Sequence, residues 1–336
     1  MMQYSDIEIP PRSNHLWRYT QWKRIHPTEV SEVPSASEIR FSDGEEVSMK
    51  GSDEIARSFI HQSSNISRKI SLKDDEKTLG IRCGGHICAG ELNIVSKGNS
   101  SLIITISGDP GWVGLRVVGE VEGSLSIALI NNLAGDAHFL RCEDWDVGRD
   151  STLEFATLSS GGFLVKSDIR VDLSAPGSET RGGIATYGHD SRHDDHHVEI
   201  AHSVGNTQSS LVMHAACGDS SHSVGTGLLT IAEGANASDA GQVFRNLLLS
   251  EKARADAIPE LEVLADDVKA AHGSASSPID LKQLHYLASR GLSPSQAEAM
   301  IVEGFLMDAF REIKNQSIID SLRTRLLVHL ECLING

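Results

Sequence analysis

The sequence predicts a mainly β chain in which many short strands stack as a β-helix between small helical ends. From about residue 76 to 267 the apolar residues alternate with period two: Leu102, Ile104 and Ile106; Leu125, Ile127 and Leu129; Ile169, Val171 and Leu173. Each run gives way to turn chemistry (Gly98-Asn99, Gly108-Asp109-Pro110, Gly123-Ser124, Gly161-Gly162, Pro176-Gly177), and no long helix interrupts the series. Aromatic residues are only 5% of the chain, which suits a narrow interior filled by Val, Ile and Leu. A sandwich or barrel is the competing architecture; stacked rungs of short strands fit better.

In chain order, residues 1–75 form a short N-terminal region with limited helix, interrupted by Pro10, Pro11, Pro27 and Pro34. One helix is predicted there, about 51 to 61, capped by Ser52 or Asp53 and carrying Ile55, Phe59 and Ile60. Residues 76–275 form the β-helix core. Residues 276–336 form a C-terminal helical module. Leu281, Leu284 and Leu287 mark its first helix, stopped by Gly291 and Pro294. Ser293-Pro294-Ser295-Gln296 opens a second, with Val302, Leu306, Phe310 and Ile313 as its apolar stripe. A third runs from about Ile318 to Leu333, with Ile319, Leu322, Leu326 and Leu330 in register. So small a module must dock on the β domain or on another protein.

Composition narrows the function. The 336 residues include 46 acidic and 30 basic side chains, a net charge of -16, which argues against a chain built to grip phosphate backbones; no nucleic-acid partner is expected. No stretch approaches the roughly 20 apolar residues of a membrane span, and the polar start lacks an apolar secretory core. Five scattered cysteines (Cys83, Cys88, Cys142, Cys217, Cys332) fit a reducing compartment, so a cytoplasmic location is expected. The chain has no G-x-x-x-x-G-K-S/T phosphate loop, no G-x-S-x-G elbow and no H-E-x-x-H helix, so it reads as neither an ATPase nor a familiar hydrolase, and as no enzyme.

The densest polar cluster spans His189 to His202. In an extended strand, His196 and His202 share the inward face with Val198 and Ile200, while Asp195, His197 and Glu199 face the other way. Imidazole and carboxylate ligate zinc or iron, yet the spacing matches no compact zinc signature, and hydrogen-bonded structural histidines are the stronger reading. His214 and His222, eight residues apart, are close to one rung, a spacing that allows stacking; Cys217 between them is a soft ligand or a small buried hydrophobe. Cys83 and Cys88 form no C-x-x-C pair and stand alone. Further on, Leu261, Val263 and Ala265 are expected inward, Glu260, Glu262 and Asp266 outward, and His272 lies where the β pattern ends.

The stretches HDDHHVEIAH (193–202), SDAGQVFRNLLLSEKARADAIPELEVLADDVKAAHGS (238–274) and LHYLASRGLSPSQAEAMIVEGF (284–305) resemble the SufB/SufD family, scaffolds of the Suf iron–sulfur cluster assembly system. WRYT, Trp17 to Thr20, looks like the short aromatic motif of the SufD branch. The resemblance is specific from about 180 to 310. It implies a right-handed parallel β-helix that pairs with a SufB-like paralogue or a second copy of itself. It also implies a C-terminal region, around Leu284, Leu287, Val302, Phe305, Leu306 and Phe310, that docks a SufC-type ABC ATPase in a SufBCD complex. No cofactor is expected to be firmly bound by the isolated chain; a transient iron–sulfur cluster in the complex is implied.

Relatives carry K-C-x-H-G-A-T where this chain reads Lys269-Ala270-Ala271-His272-Gly273-Ser274-Ala275. Ala270 cannot supply a thiol, whereas the His272 imidazole can ligate iron. The resemblance therefore makes His272 the leading metal or nascent-cluster contact, with His196, His197, His202, His214 and Cys217 behind it. The N-terminal region is short beside full-length members. Two alternatives stand: a SufB-like or homodimeric scaffold with Cys217 or Cys142 as a displaced thiol, and a β-helical metal-dependent enzyme using the histidine-rich strand.

Overall fold

The computed structural model describes residues 3–37 and 39–335, with side chains as far as residue 331. Cys332 and the Leu333 end of the third predicted helix have side chains outside the described residues. A short helix α1 (Trp22–Ile25), strands β1 (Ile39–Phe41) and β2 (Glu45–Glu46), and helix α2 (Ile55–Ser63) precede a long parallel ladder. The ladder comprises β3 (Ser67–Lys73), β4 (Glu76–Cys83), β5 (Ile87–Gly108), β6 (Trp112–Leu133), β7 (His138–Val147), β8 (Thr152–Ser159) and β9 (Leu164–Leu173). It continues through β10 (Glu179–Gly188), β11 (His193–His202), β12 (Gln208–Cys217), β13 (His222–Ile231), β14 (Ser238–Leu248), β15 (Arg254–Val263) and β16 (Val268–Pro278). Helices α3 (Leu281–Ser289), α4 (Pro294–Met307) and α5 (Gln316–Asn335) close the chain.

Pairing skips every other strand. From β6 grow two faces, β7-β9-β11-β13-β15 and β8-β10-β12-β14-β16, each parallel throughout. The result is a β-solenoid of about eight turns. Leu164, His193 and His222 stand in register on successive turns. At the first turn β1 pairs antiparallel with β4 and β2 with β3, capping that end.

The period-two aliphatics predicted to face inward do so. Leu102, Ile104, Ile106, Leu125, Ile127, Leu129, Ile169, Val171 and Leu173 are buried in one cluster between the faces. Each such side chain contributes roughly 1.5–3 kcal/mol of burial. The turn chemistry at Gly98-Asn99 and Gly123-Ser124 does not end strands as expected. β5 and β6 run 22 residues each, and Gly98 pairs with Gly123 in an unbroken ladder. Both glycines have positive φ, and a Cβ on Gly123 would meet the Gly98 carbonyl oxygen at 2.3 Å. The ladder turns a corner there. Later corners are taken by Asp150, Asp190, Asn206 and Asp219 in the left-handed region.

Both outer faces are covered. The N-terminal segment and α2 lay Tyr4, Trp17, Trp22, Ile25 and Phe59 over Ile87, Trp112, Leu140 and Cys142. The C-terminal helices lay Val302, Leu306, Phe310, Leu322 and Leu326 over Ile130, Leu158, Val212 and Leu247. The Ser293 capping box with Gln296 starts α4 as its sequence requires. Helix α4 stops at Met307 and a 3-10 turn carries Phe310, so the predicted stripe is divided between two elements but stays buried as one surface. Helix α2 starts after Glu54 rather than at Ser52 or Asp53; the Ser52 hydroxyl instead accepts from the Glu54 backbone N–H. Among the described residues no helix is long and apolar enough to cross a membrane.

Candidate functional site

The alternation predicted for the histidine-rich strand holds in β11. On its inward face, Arg192 grips Asp194 through Nε at 2.6 Å and Nη2 at 2.7 Å, and Ser159 donates to the same carboxylate. Burial alone would raise the Asp194 carboxyl, but Arg192 holds it far below the usual range. His196 Nδ1 lies 2.6 Å from Ser167 Oγ, while its Nε2 has no hydrogen-bond partner and stands 3.6 Å from Asp194. His202 is bridged by Thr207 at 2.7 Å and Ser209 at 2.8 Å, and burial pushes its imidazole down to about 4. Val198 and Ile200 complete this face within the core.

The outward face is not wet, because the N-terminal segment lies on it. Lys166 donates to Asp195 at 2.9 Å beneath the Trp17 ring. His197 Nδ1 lies 2.8 Å from Thr226 Oγ1, its ring edge-on to His15, and burial lowers it to about 4. Beside them Arg57 of α2 binds Asp144 and Asp168; burial alone would raise Asp168, but Arg57 and Arg170 hold it down to about 2. Sequence reasoning missed this ion network. Its members lie 87 and 111 residues from Arg57, and the only local signal is an arginine beside the apolar positions Ile55, Ala56, Phe59 and Ile60 of the helix.

His214 and His222 do not stack. A turn takes 29 residues here, not eight, so the two fall on opposite faces. His222 packs instead on His193, ring centroids 4.9 Å apart, and reaches Asp256 at 2.7 Å. His214 is buried under the helical module, its ring stacked on Phe305 and its Nδ1 2.7 Å from the Phe305 carbonyl oxygen. Cys217 is buried with Ala215 and Ala253, and burial pushes its thiol up to about 12. Among the described residues no three His, Cys, Asp or Glu side chains converge to hold a metal ion.

The other end of the solenoid is different in kind. Among the described residues β15 pairs only with β13, and β16 only with β14, so the last turn has free backbone edges. Pro259, which has no N–H to give, is tolerated on such a strand. Leu261 and Ala265 pack partly on the core as expected, but no further turn covers Val263, which is 40% exposed, or Leu264, 59% exposed. His272 is exposed on β16, in register with Gln242, and Ala270 is in register with Ala240. Strand β14, which carries Asp239, lies between β12 and β16 and is not an edge strand.

In the helical module, Val302, Leu306 and Phe310 are turned onto the chain's own sheet and are unavailable to a partner, and Phe305 covers His214. Leu284 and Leu287 are half-buried. The exposed large apolar side chains of the module are Leu281, Tyr286, Met300, Leu327 and Val328 instead.

A two-faced parallel solenoid, covered on both flanks, carries free strand edges at its last turn, a surface of the kind that accepts a further strand. The model of the SUF system FeS cluster assembly SufBD core domain matches residues 113–305, more than half of the chain, and the chain belongs to that family. It is 28% identical over 256 residues to an iron–sulfur cluster assembly SufBD family protein of Mycobacterium leprae, covering 74% of this chain and 64% of that protein. It is 32% identical over 209 residues to the iron–sulfur cluster assembly protein SufD of Bacillus subtilis, covering 60% of this chain and 48% of that protein. Against SufD of Escherichia coli it is 25% identical over 190 residues, covering 56% and 45%. The matched region is thus under two thirds of each of these three relatives.

Proposed function

We propose that this chain is a SufD-like, non-enzymatic scaffold of an ATP-dependent iron–sulfur cluster assembly complex. It pairs through β15 and β16 with a SufB-like chain or a second copy of itself, and a SufC-type ATPase docks on its C-terminal helices. The observation that carries the reading is the bare last turn with His272 exposed on it. A partner strand completes the free N–H and C=O groups there, and the His272 imidazole offers one nitrogen to nascent cluster held mainly by partner ligands. The cluster is cargo in this reading. The alternative of a metal-dependent enzyme on the histidine strand finds no donor set among the described residues.

The test is co-expression with a SufB-like chain and a SufC-type ATPase, comparing wild type with His272→Ala and with a chain ended after residue 280. His272→Ala is expected to assemble normally and to lose bound iron and sulfide. The truncated chain is expected to lose the ATPase. Full cluster content in His272→Ala removes that residue from the site, and a monomer that ignores both partners overturns the scaffold reading.

A further inference from the structure

Cys83 ends β4 and Cys88 stands near the start of β5, joined by Gly84-Gly85-His86. Both point into the same apolar cluster, at 3% and 0% exposure. The Cys88 sulfur is turned back over the connection, 3.6 Å from the Gly85 carbonyl oxygen, and the Cys83 thiol is hydrogen-bonded to Cys88. That hydrogen bond, with burial, raises the Cys83 thiol well above its ordinary value. Cys142 instead lies with Leu140 and Leu164, and Cys217 with Ala215 and Ala253. A cavity of about 310 Å³ lined by Arg40, Arg82, Cys83, Gly84, Ser107 and Gly108 reaches the Cys83 end of the pair. This first turn is the end of the solenoid remote from His272, so the proposed scaffold role makes no use of it.

We propose that Cys83 and Cys88 form a reversible redox site that closes to an intrachain disulfide when hydrogen peroxide enters through the cavity beside Arg40 and Arg82. Cys83 lines the cavity, so its sulfur is the one peroxide reaches. The Cys83 sulfur attacks one peroxide oxygen and the O–O bond breaks. The departing hydroxide takes the Cys83 proton and leaves as water, and Cys83 becomes a sulfenic acid. The Cys88 sulfur then attacks Cys83, the S–S bond forms, and the Cys88 proton leaves with the sulfenic hydroxyl as a second water. Two thiols are oxidised by two electrons and peroxide is reduced to two waters. Gly84 and Gly85 give the connection the freedom to follow the sulfurs as they close.

The full-length chain is treated with hydrogen peroxide, unfolded, alkylated and digested with trypsin. Cleavage after Arg82 and Lys97 places both cysteines in one peptide, residues 83–97. The expected result is a peptide lighter by two hydrogens and free of alkyl groups, which takes up two alkyl groups once dithiothreitol is added. Cys142 and Cys217 serve as internal controls and are expected to stay alkylatable throughout. A peptide still doubly alkylated after peroxide, or one carrying sulfinic or sulfonic acid with no disulfide, overturns the proposal.

Discussion

The Thr20 hydroxyl lies 2.9 Å from Nε2 of His193, joining residues 173 positions apart. It ties the N-terminal WRYT motif to the first residue of the histidine-rich strand, so the two short stretches meet in space. Thr20→Val keeps the shape and removes the partner of a buried imidazole nitrogen. The expected loss is about 1–3 kcal/mol, read from the denaturant midpoint at unchanged slope. A midpoint equal to wild type would show that the contact contributes nothing.

Lys166 and Asp195 are both nearly inaccessible, and the second Asp195 oxygen has no hydrogen-bond partner. Lys166→Met strands a buried carboxylate and is expected to cost about 3–5 kcal/mol. Adding Asp195→Leu removes the stranded charge and should recover most of that loss. A double variant no more stable than Lys166→Met would contradict this account, and equilibrium unfolding of wild type and the two variants decides.

Ile200 lies wholly inside the solenoid, whereas Leu281 is exposed on α3. Ile200→Ala should destabilise by about 2–5 kcal/mol, and Leu281→Ala by less than about 0.5 kcal/mol. Thermal melts of both, side by side, check the inward assignment of the strand.

Burial holds His193, His197 and His202 at about 4. In the unfolded chain an imidazole takes its proton near about 6.5. Between these values the unfolded state binds more protons than the folded one, so stability is present above about 6.5 and declines as pH falls toward 4. Asp168, held at about 2, adds its own loss only below about 4. The melting temperature is expected to drop steadily from pH 7 to 4; a flat profile across that interval would mean that these imidazoles are not buried neutral.

Tyr286 and Met300 are 58% and 50% exposed on the free side of the helical module. Tyr286→Asp and Met300→Asp are expected to leave the melting temperature unchanged while weakening co-purification of a SufC-type ATPase by tenfold or more, about 1.4 kcal/mol. Val302→Asp should instead unfold the module. Undiminished co-purification by both surface variants would place the docking face elsewhere.

The interior was legible because Leu102, Ile104 and Ile106 repeat with the period of a strand and meet only their own kind. Corners were not. Gly98 and Gly123 look the same in sequence whether the chain stops or bends, and only the neighbouring turn decides. The rung length was equally hidden, since His214 and His222 are separated by a change of face rather than by a turn. Asp195 and His197 were correctly assigned away from the core, but nothing local says that Trp17 and His15 lie over them. The Arg57 network was beyond reach for the same reason: its charges become neighbours only after several turns have formed. His272 drew notice through its resemblance to a family motif, since a lone histidine before a glycine carries no signal of its own.

The antiparallel strands β1 and β2 close the first turn of the solenoid, whereas β15 and β16 leave the last turn bare. A solenoid open at both ends can add copies head to tail without limit, each new member presenting a fresh edge. Here any chain that joins through its bare end offers only a blocked end to the next arrival. Pairing through the bare ends, as proposed above, would therefore terminate at two members and would not extend into a fibre.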